Sequence, residues 1–241
     1  MAKWEVHNVD CMDFLRSLPA GSVDAVVTDP PYGINTKSDG NGKLNPWADL
    51  CNAAFWYKEW IGECRRVLKP AGMLWSCLNW RSLVTFQKAS CDLGWPIESL
   101  LIWYKDWIGP GGCRGLRPSY EMVALWAMPD FAIPDRGLYD VQTFKWSGHK
   151  PNGHPAEKPV SLFEWLLNCQ RPTENCTILD LFAGSGTAGV ASIQTGRNFI
   201  GCELDPDHAE TARRRCREAE EGIGLMAPVV DAVTVQAEMF E

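Results

Sequence analysis

Thr177-Ile178-Leu179-Asp180-Leu181-Phe182-Ala183-Gly184-Ser185-Gly186-Thr187 is the stretch that decides the fold. Thr177 to Phe182 is an apolar run with one acid and reads as a buried strand. It stops at a glycine turn, Ala183 to Thr187. Ala188 to Gln194 then reads as a helix, and Asn198-Phe199-Ile200-Gly201-Cys202-Glu203-Leu204 as a second strand. Strand, turn, helix and strand at this spacing make a βαβ unit, the building block of a largely parallel sheet. Gly184 and Gly186 let a ligand approach the backbone, and the helix N-terminus that follows favours a negative group such as a carboxylate. Glu203 lies 17 residues beyond Gly186, at a strand end where an acid can accept two ribose hydroxyls. This context points to a nucleoside-containing ligand. The turn also contains Gly184-x-Gly186-x-x-Gly189, so the residues alone leave a dinucleotide such as NAD open.

Far upstream, Asp24-Ala25-Val26-Val27 reads as another buried strand and runs into Thr28-Asp29-Pro30-Pro31-Tyr32. Neither proline has an N–H to give to a sheet, so the strand must end there, stiff and extended. An acid, a backbone carbonyl of fixed direction and an aromatic ring are thus gathered on one turn. The carboxylate and the carbonyl can each accept a hydrogen from one amino group, and the ring can stack on a flat system. A solvent-facing Pro-stiffened turn is the plain alternative for this stretch taken by itself.

The remaining segments alternate in the same way. Trp4 to Val9 reads as a strand, and Asp10 caps a helix bearing Phe14, Leu15 and Leu18, stopped by Pro19 and Gly21. Residues 33–46 form a polar loop beside the Asp29 turn. A helix over about 52–68 ends at Lys69-Pro70-Ala71-Gly72. Strands are expected at Met73–Leu78, Ser99–Tyr104 and Met122–Ala127, with a helix over Asn79–Cys91. Periodicity fades from Met128 to Pro155, the one region that reads as an insertion. A helix begins at Pro159 and carries Leu162, Phe163, Leu166 and Leu167. Pro206 opens a last helix, to about Glu221. The expectation is α/β: one domain over 1–221, a doubly wound, mostly parallel sheet of seven strands, and a tail over 222–241.

Composition bounds what such a fold does. The 241 residues, 46% of them hydrophobic, are enough for one large α/β core. Most of the twelve tryptophans must be core. Ten scattered cysteines without C-x-x-C spacing read as reduced, buried thiols of a cytoplasmic protein and offer no zinc site. No targeting segment is seen, and no apolar run approaches the ~20 residues needed to span a bilayer. A net charge of −7 excludes a generally adhesive nucleic-acid binder but not a local basic face. Arg114, Arg117, Arg136, Lys145, His149 and Lys150 fall in one such stretch. The arginines at 213–217 alternate with acids and read as a solvated helix face.

Taken together, the two constellations resemble a known family. Ile178 to Thr187 is similar to the S-adenosylmethionine loop of amino methyltransferases acting on DNA. Asp29-Pro30-Pro31-Tyr32 is similar to their catalytic motif, and His154-Pro155-Ala156-Glu157-Lys158-Pro159 to the element that precedes the cofactor loop. The order, with the catalytic motif first and the cofactor loop last, resembles the permuted β group of these enzymes. The resemblance implies a Rossmann-like methyltransferase sheet and S-adenosylmethionine as cofactor. It implies catalytic roles for Asp29, Pro30, Pro31 and Tyr32, and no metal. It further implies that Phe182, Gly184, Ser185 and Gly186 line the methionine end of the cofactor, with Asp29, Asp180 and Thr187 at the same pocket. Glu203 would hold the ribose, Asp10 the adenine ring beside Cys11, and Lys158 with Pro159 would close the pocket. For Asp10, a helix cap is the alternative role.

Methyl transfer to an exocyclic amine of a base in double-stranded DNA requires the base to leave the stack. Tyr32 would then stack on it. In the resembling family an acid in the first motif position mostly accompanies N6 of adenine and a serine N4 of cytosine, so Asp29 favours adenine. Site readout falls to 109–117 and 128–151, which are short. A restriction-modification setting would supply a cognate restriction enzyme; an orphan enzyme would have none, and a homodimer is compatible with either. Two other classes stay open: a nicotinamide oxidoreductase, which leaves Asp29–Tyr32 idle, and a non-catalytic nucleotide-binding module.

Overall fold

In the computed structural model, residues 2–31, 50–107, 115–146, 157–170 and 175–222 are described. Their strands form one sheet. In chain order the elements are β1 (Trp4–Asn8), α1 (Cys11–Ser17), β2 (Val23–Thr28), α2 (Leu50–Val67), β3 (Leu68–Leu78) and α3 (Leu83–Asp92). They continue with β4 (Ser99–Tyr104), β5 (Tyr120–Ala127), β6 (Val141–Thr143), α4 (Val160–Asn168), β7 (Thr177–Asp180), α5 (Thr187–Gln194), β8 (Asn198–Glu203) and α6 (Pro206–Glu220).

The sheet has eight strands in the order β1-β8-β7-β2-β3-β5-β4-β6. The last two strands of the chain therefore sit between its first two. Strands β1, β8, β7, β2 and β3 are mutually parallel, and β5 is antiparallel to both β3 and β4. Every residue of β2 is buried, as expected of a central strand covered on both faces. Alternate residues face opposite ways: Val27, Trp75 and Cys77 pack toward α4, α5 and α6, while Val26, Leu74 and Leu78 pack toward α1, α2 and α3. The doubly wound expectation holds.

Three sequence readings change. The eighth strand is β6, inside the stretch read as irregular. It pairs in parallel with the free edge of β4, and the next residue, Phe144, is buried and accepts from Trp103 Nε1 at 2.7 Å. Three residues are too few to give a period. The strand expected from Met73 begins at Leu68, directly after α2, and its pairing with β2 breaks between Val23 and Ala25. Residues 69–72 make that irregularity: Pro70 has no donor, and a Cβ on Gly72 would meet Asp24 O at 3.0 Å. Third, Arg215 is not on a solvated face; its side chain is 11% exposed.

Of the described tryptophans, Trp60, Trp75, Trp95, Trp103 and Trp126 are buried. No helix among the described residues is long and apolar enough to cross a membrane.

Candidate active site

In an open parallel sheet, ligands bind beyond the carboxyl ends of the strands, where neighbouring crossovers leave in opposite directions. Here that point lies between β7 and β2: from β7 the chain winds toward β8, from β2 toward β3. Asp180 ends β7, and Asp29 follows Thr28 at the end of β2. Asp29, Lys158, Asp180, Phe182, Gly184 and Ser185 line a single cavity there, with Thr187 at its wall. The two stretches singled out in the sequence, about 150 residues apart, are thus brought to one place.

The turn after β2 is held from behind. Tyr57 of α2, fully buried, donates its hydroxyl to Pro31 O at 2.5 Å. Its ring lies 4.1 Å from that of Phe86, and burial pushes its phenol well up. Pro30 is buried. Tyr32 and the loop 33–46 lie outside the described residues, as do Arg114, His149, Lys150 and His154 to Ala156.

Asp29 is ion-paired: Lys158 Nζ stands 2.5 Å from its Oδ2 and 3.5 Å from Glu121 Oε2. Burial opposes the charge on Lys158, but Asp29 and Glu121 outweigh it and hold the ammonium above its ordinary range. Burial likewise works against the Glu121 carboxylate, yet Lys158 and Lys105 keep it below the usual carboxylate range. Pro159 follows as the N-cap of α4, in extended conformation.

The glycine turn is built for packing as much as for a ligand. Gly186 has φ +82°, and a Cβ there would lie 2.8 Å from Ala212 Cα of α6. Gly189 faces Cys216 Sγ and the Phe199 ring with no room for a side chain. Gly184, at φ +50°, donates its N–H to Glu203 Oε2 at 2.8 Å, while Asp205 N donates to Oε1 at 2.9 Å. Phe182 packs near Trp56 and Trp60, with ring centroids 5.9 and 6.2 Å away.

Asp10 and Cys11 lie apart from this cavity, at the end of β1. Asp10 is a helix cap, accepting from Met12 N at 2.8 Å and Asp13 N at 3.2 Å. Cys11 is buried, and burial with the nearby Asp10 charge pushes its thiol up to about 12. Asp29, Asp180, Glu203 and Asp10 nonetheless mark four successive strand ends on one edge. At ordinary strand spacing they span about 14 Å, the reach of an extended nucleoside–amino acid conjugate.

Arg215 was missed by the sequence reading. Its Nη1 donates to Ser185 O at 2.8 Å and Ser185 Oγ at 3.0 Å, and its Nη2 pairs with Glu157 Oε1 at 3.2 Å. It clamps the glycine turn to the segment carrying Lys158. A signal existed: Arg215 falls between Ala212 and Cys216 on the buried stripe of α6. Tyr57 and Glu121 offered none, since only tertiary contact brings them to the site.

Chemically, the edge offers a carboxylate on a rigid turn, a buried cation beside it and a row of acids at successive strand ends. Among the described residues no cluster of metal-ligating side chains is present.

A family profile described as DNA methylase, of the N6/N4 group, matches residues 23–214, and the chain belongs to that family. YubD of Escherichia coli (strain K12) is 31% identical over 206 residues, covering 86% of this chain and 87% of that protein. The type II methyltransferase M2.MboI of Moraxella bovis is 28% identical, covering 89% and 88%. Among solved structures, the M1.HpyAVI–SAM complex superposes with a TM-score of 0.68 at 20% identity, over 88% of this chain and 98% of that one. The cytosine-N4-specific PvuII DNA methyltransferase superposes with 0.72 at 15% identity, over 92% and 93%. Both share the fold.

Proposed function

We propose that this DNA methylase transfers a methyl group from S-adenosylmethionine to N6 of an adenine flipped out of double-stranded DNA. The single observation that carries the reading is the meeting of the Asp29 turn and the glycine turn on adjacent strand ends of one cavity. The residues fit the cofactor. Phe182, Gly184 and Ser185 would face its methionine end, and Lys158 with Pro159 would close the pocket. Glu203 keeps lone pairs for ribose hydroxyls beyond its two backbone contacts, and Asp10 with Cys11 lies where the adenine ring would reach.

When bound, the cofactor supplies a methyl group on a positive sulfur that departs as a neutral thioether. The chain's own residues do the rest by positioning and electrostatics. Asp29 and the Pro30 carbonyl accept the two hydrogens of the amino group, which draws the nitrogen toward a tetrahedral shape and aims its lone pair. The lone pair would thereby be directed at the methyl carbon that the bound cofactor presents, and Asp29 would take the proton that leaves the nitrogen. Tyr32 stacks on the extruded base. The segments 109–117 and 128–151, with exposed Arg117, Arg136 and Lys145, would meet the DNA backbone and read the site.

Adenine is preferred because Asp29 is an acid, and DNA adenine methyltransferase YhdJ of Escherichia coli (strain K12) is 26% identical over 250 residues. Expression in a methylation-free host followed by modification-sensitive sequencing tests the whole reading. N6-methyladenine at a defined site is expected; N4-methylcytosine would overturn the base assignment, and unmodified DNA the function.

A further inference from the structure

We propose that Glu121 is a positioning residue for methyl transfer: it is a second seat for the Lys158 ammonium, which lets Asp29 exchange that cation for the amino group of the target base. The proposal rests on the reading of Asp29 given above. Glu121 is the second residue of β5 and reaches the active edge because β5 runs antiparallel to β3. One carboxylate oxygen is ion-paired with Lys105, just past β4; the other lies 3.5 Å from Lys158 Nζ. Lys105, Glu121, Lys158 and Asp29 form a chain of alternating charge in which no side chain is more than 22% exposed.

The chain is lopsided. Lys158 sits 2.5 Å from Asp29 and 3.5 Å from Glu121, so its ammonium occupies the carboxylate that must receive the base. A neutral amine cannot displace a buried cation unless that cation keeps a counter-charge. Glu121 Oε2 supplies one within the width of the gap. Glu121 need not move to do so. Lys105, which holds its other oxygen, lies over the rings of Trp103 and Trp146 at 5.0 and 5.1 Å. Trp146 Nε1 in turn donates to Glu157 O at 3.2 Å, next to Lys158. The same aromatic platform steadies both partners while the lysine side chain swings.

Glu121→Gln keeps the shape and an acceptor for Lys105 but removes the counter-charge. With saturating genomic DNA from a methylation-free host, kcat should fall at least tenfold. The urea midpoint should fall, because a buried ion-pair chain loses one charge, but the S-adenosylhomocysteine Kd by calorimetry should stay near wild type, and Glu121→Asp should recover part of kcat. An undiminished kcat overturns the role of Glu121 and leaves the reading of the site intact. A joint fall of kcat and cofactor affinity, or no recovery with Asp, makes Glu121 merely structural and also overturns it. Wild-type protein that transfers no methyl group overturns both.

Discussion

Thr28 Oγ1 donates to Asp180 Oδ1 at 2.6 Å, across 152 residues of chain. Leu181 N donates back to Thr28 Oγ1 at 3.3 Å, and Phe182 N to Asp180 Oδ1 at 3.1 Å. One hydroxyl and one carboxylate thus lock the end of β2, which carries Asp29, to the start of the glycine turn. Burial, which outweighs the hydrogen bonds from Thr28 and Phe182 and is aided by the Asp29 and Glu203 charges, pushes the Asp180 carboxyl up to about 7.

That shift has a definite sign. Between the ordinary value of 3.8 and about 7, the folded protein keeps a proton that the unfolded chain has released. This group's contribution to stability therefore falls as pH rises through that window. Asp180→Asn removes the titration while keeping an acceptor for Thr28. Its unfolding free energy relative to wild type should improve by about 1–4 kcal/mol between roughly pH 4.5 and pH 7.5. Urea titrations at both pH values check it; a difference that does not change with pH would refute the assignment.

Asp29→Ala should lower methyl transfer by about 10²-fold or more, the scale of losing a preorganised electrostatic contact at the reacting atom. Cofactor binding should persist, because the glycine turn, Glu203 and Arg215 are untouched. Tritium transfer and calorimetry on the same preparation separate the two. Normal turnover would sink the mechanism.

Arg215→Met leaves the Glu157 carboxylate buried without its guanidinium and frees the glycine turn from the Lys158 segment. The expected cost is about 3 kcal/mol of stability, with a raised KM for the cofactor. Arg215→Lys should recover only part of this, since an ammonium cannot span both partners. Equal stability of all three proteins in urea would show the clamp to be idle.

Gly186→Ala meets two penalties, a left-handed backbone and a Cβ 2.8 Å from Ala212 Cα. We expect a loss of roughly 3 kcal/mol or more. Gly184→Ala, at φ +50°, should cost about 1 kcal/mol from backbone strain. Thermal unfolding of the two variants gives the order directly; a reversed order would mean that α6 does not pack on the turn as described.

Much of the fold was legible because its signals are local. The apolar runs at β2, β7 and β8, the Asp10 cap and the helix from Pro159 each depend on a few neighbouring residues. β6 was not legible, because three residues carry no period and its order comes from the free edge of β4 and the burial of Phe144. The arginine run misled for a related reason. Alternating charge describes the outer face of α6, but Arg215 falls beside Ala212 and Cys216 on its buried stripe.

The sequence by itself determined the class of the fold, the two chemically loaded turns and their order along the chain. Those follow from residue types at fixed spacing, which the backbone turns into strand ends and helix starts without help from distant residues. Only the tertiary structure decided that β7 lies beside β2, and hence that Asp29 and the glycine turn share a cavity. It alone brought in Glu121, Tyr57 and Arg215, and it alone set Lys158 between Asp29 and Glu121. Their roles depend on charge compensation in a place with little water, and buried charges acquire partners only when the sheet closes around them.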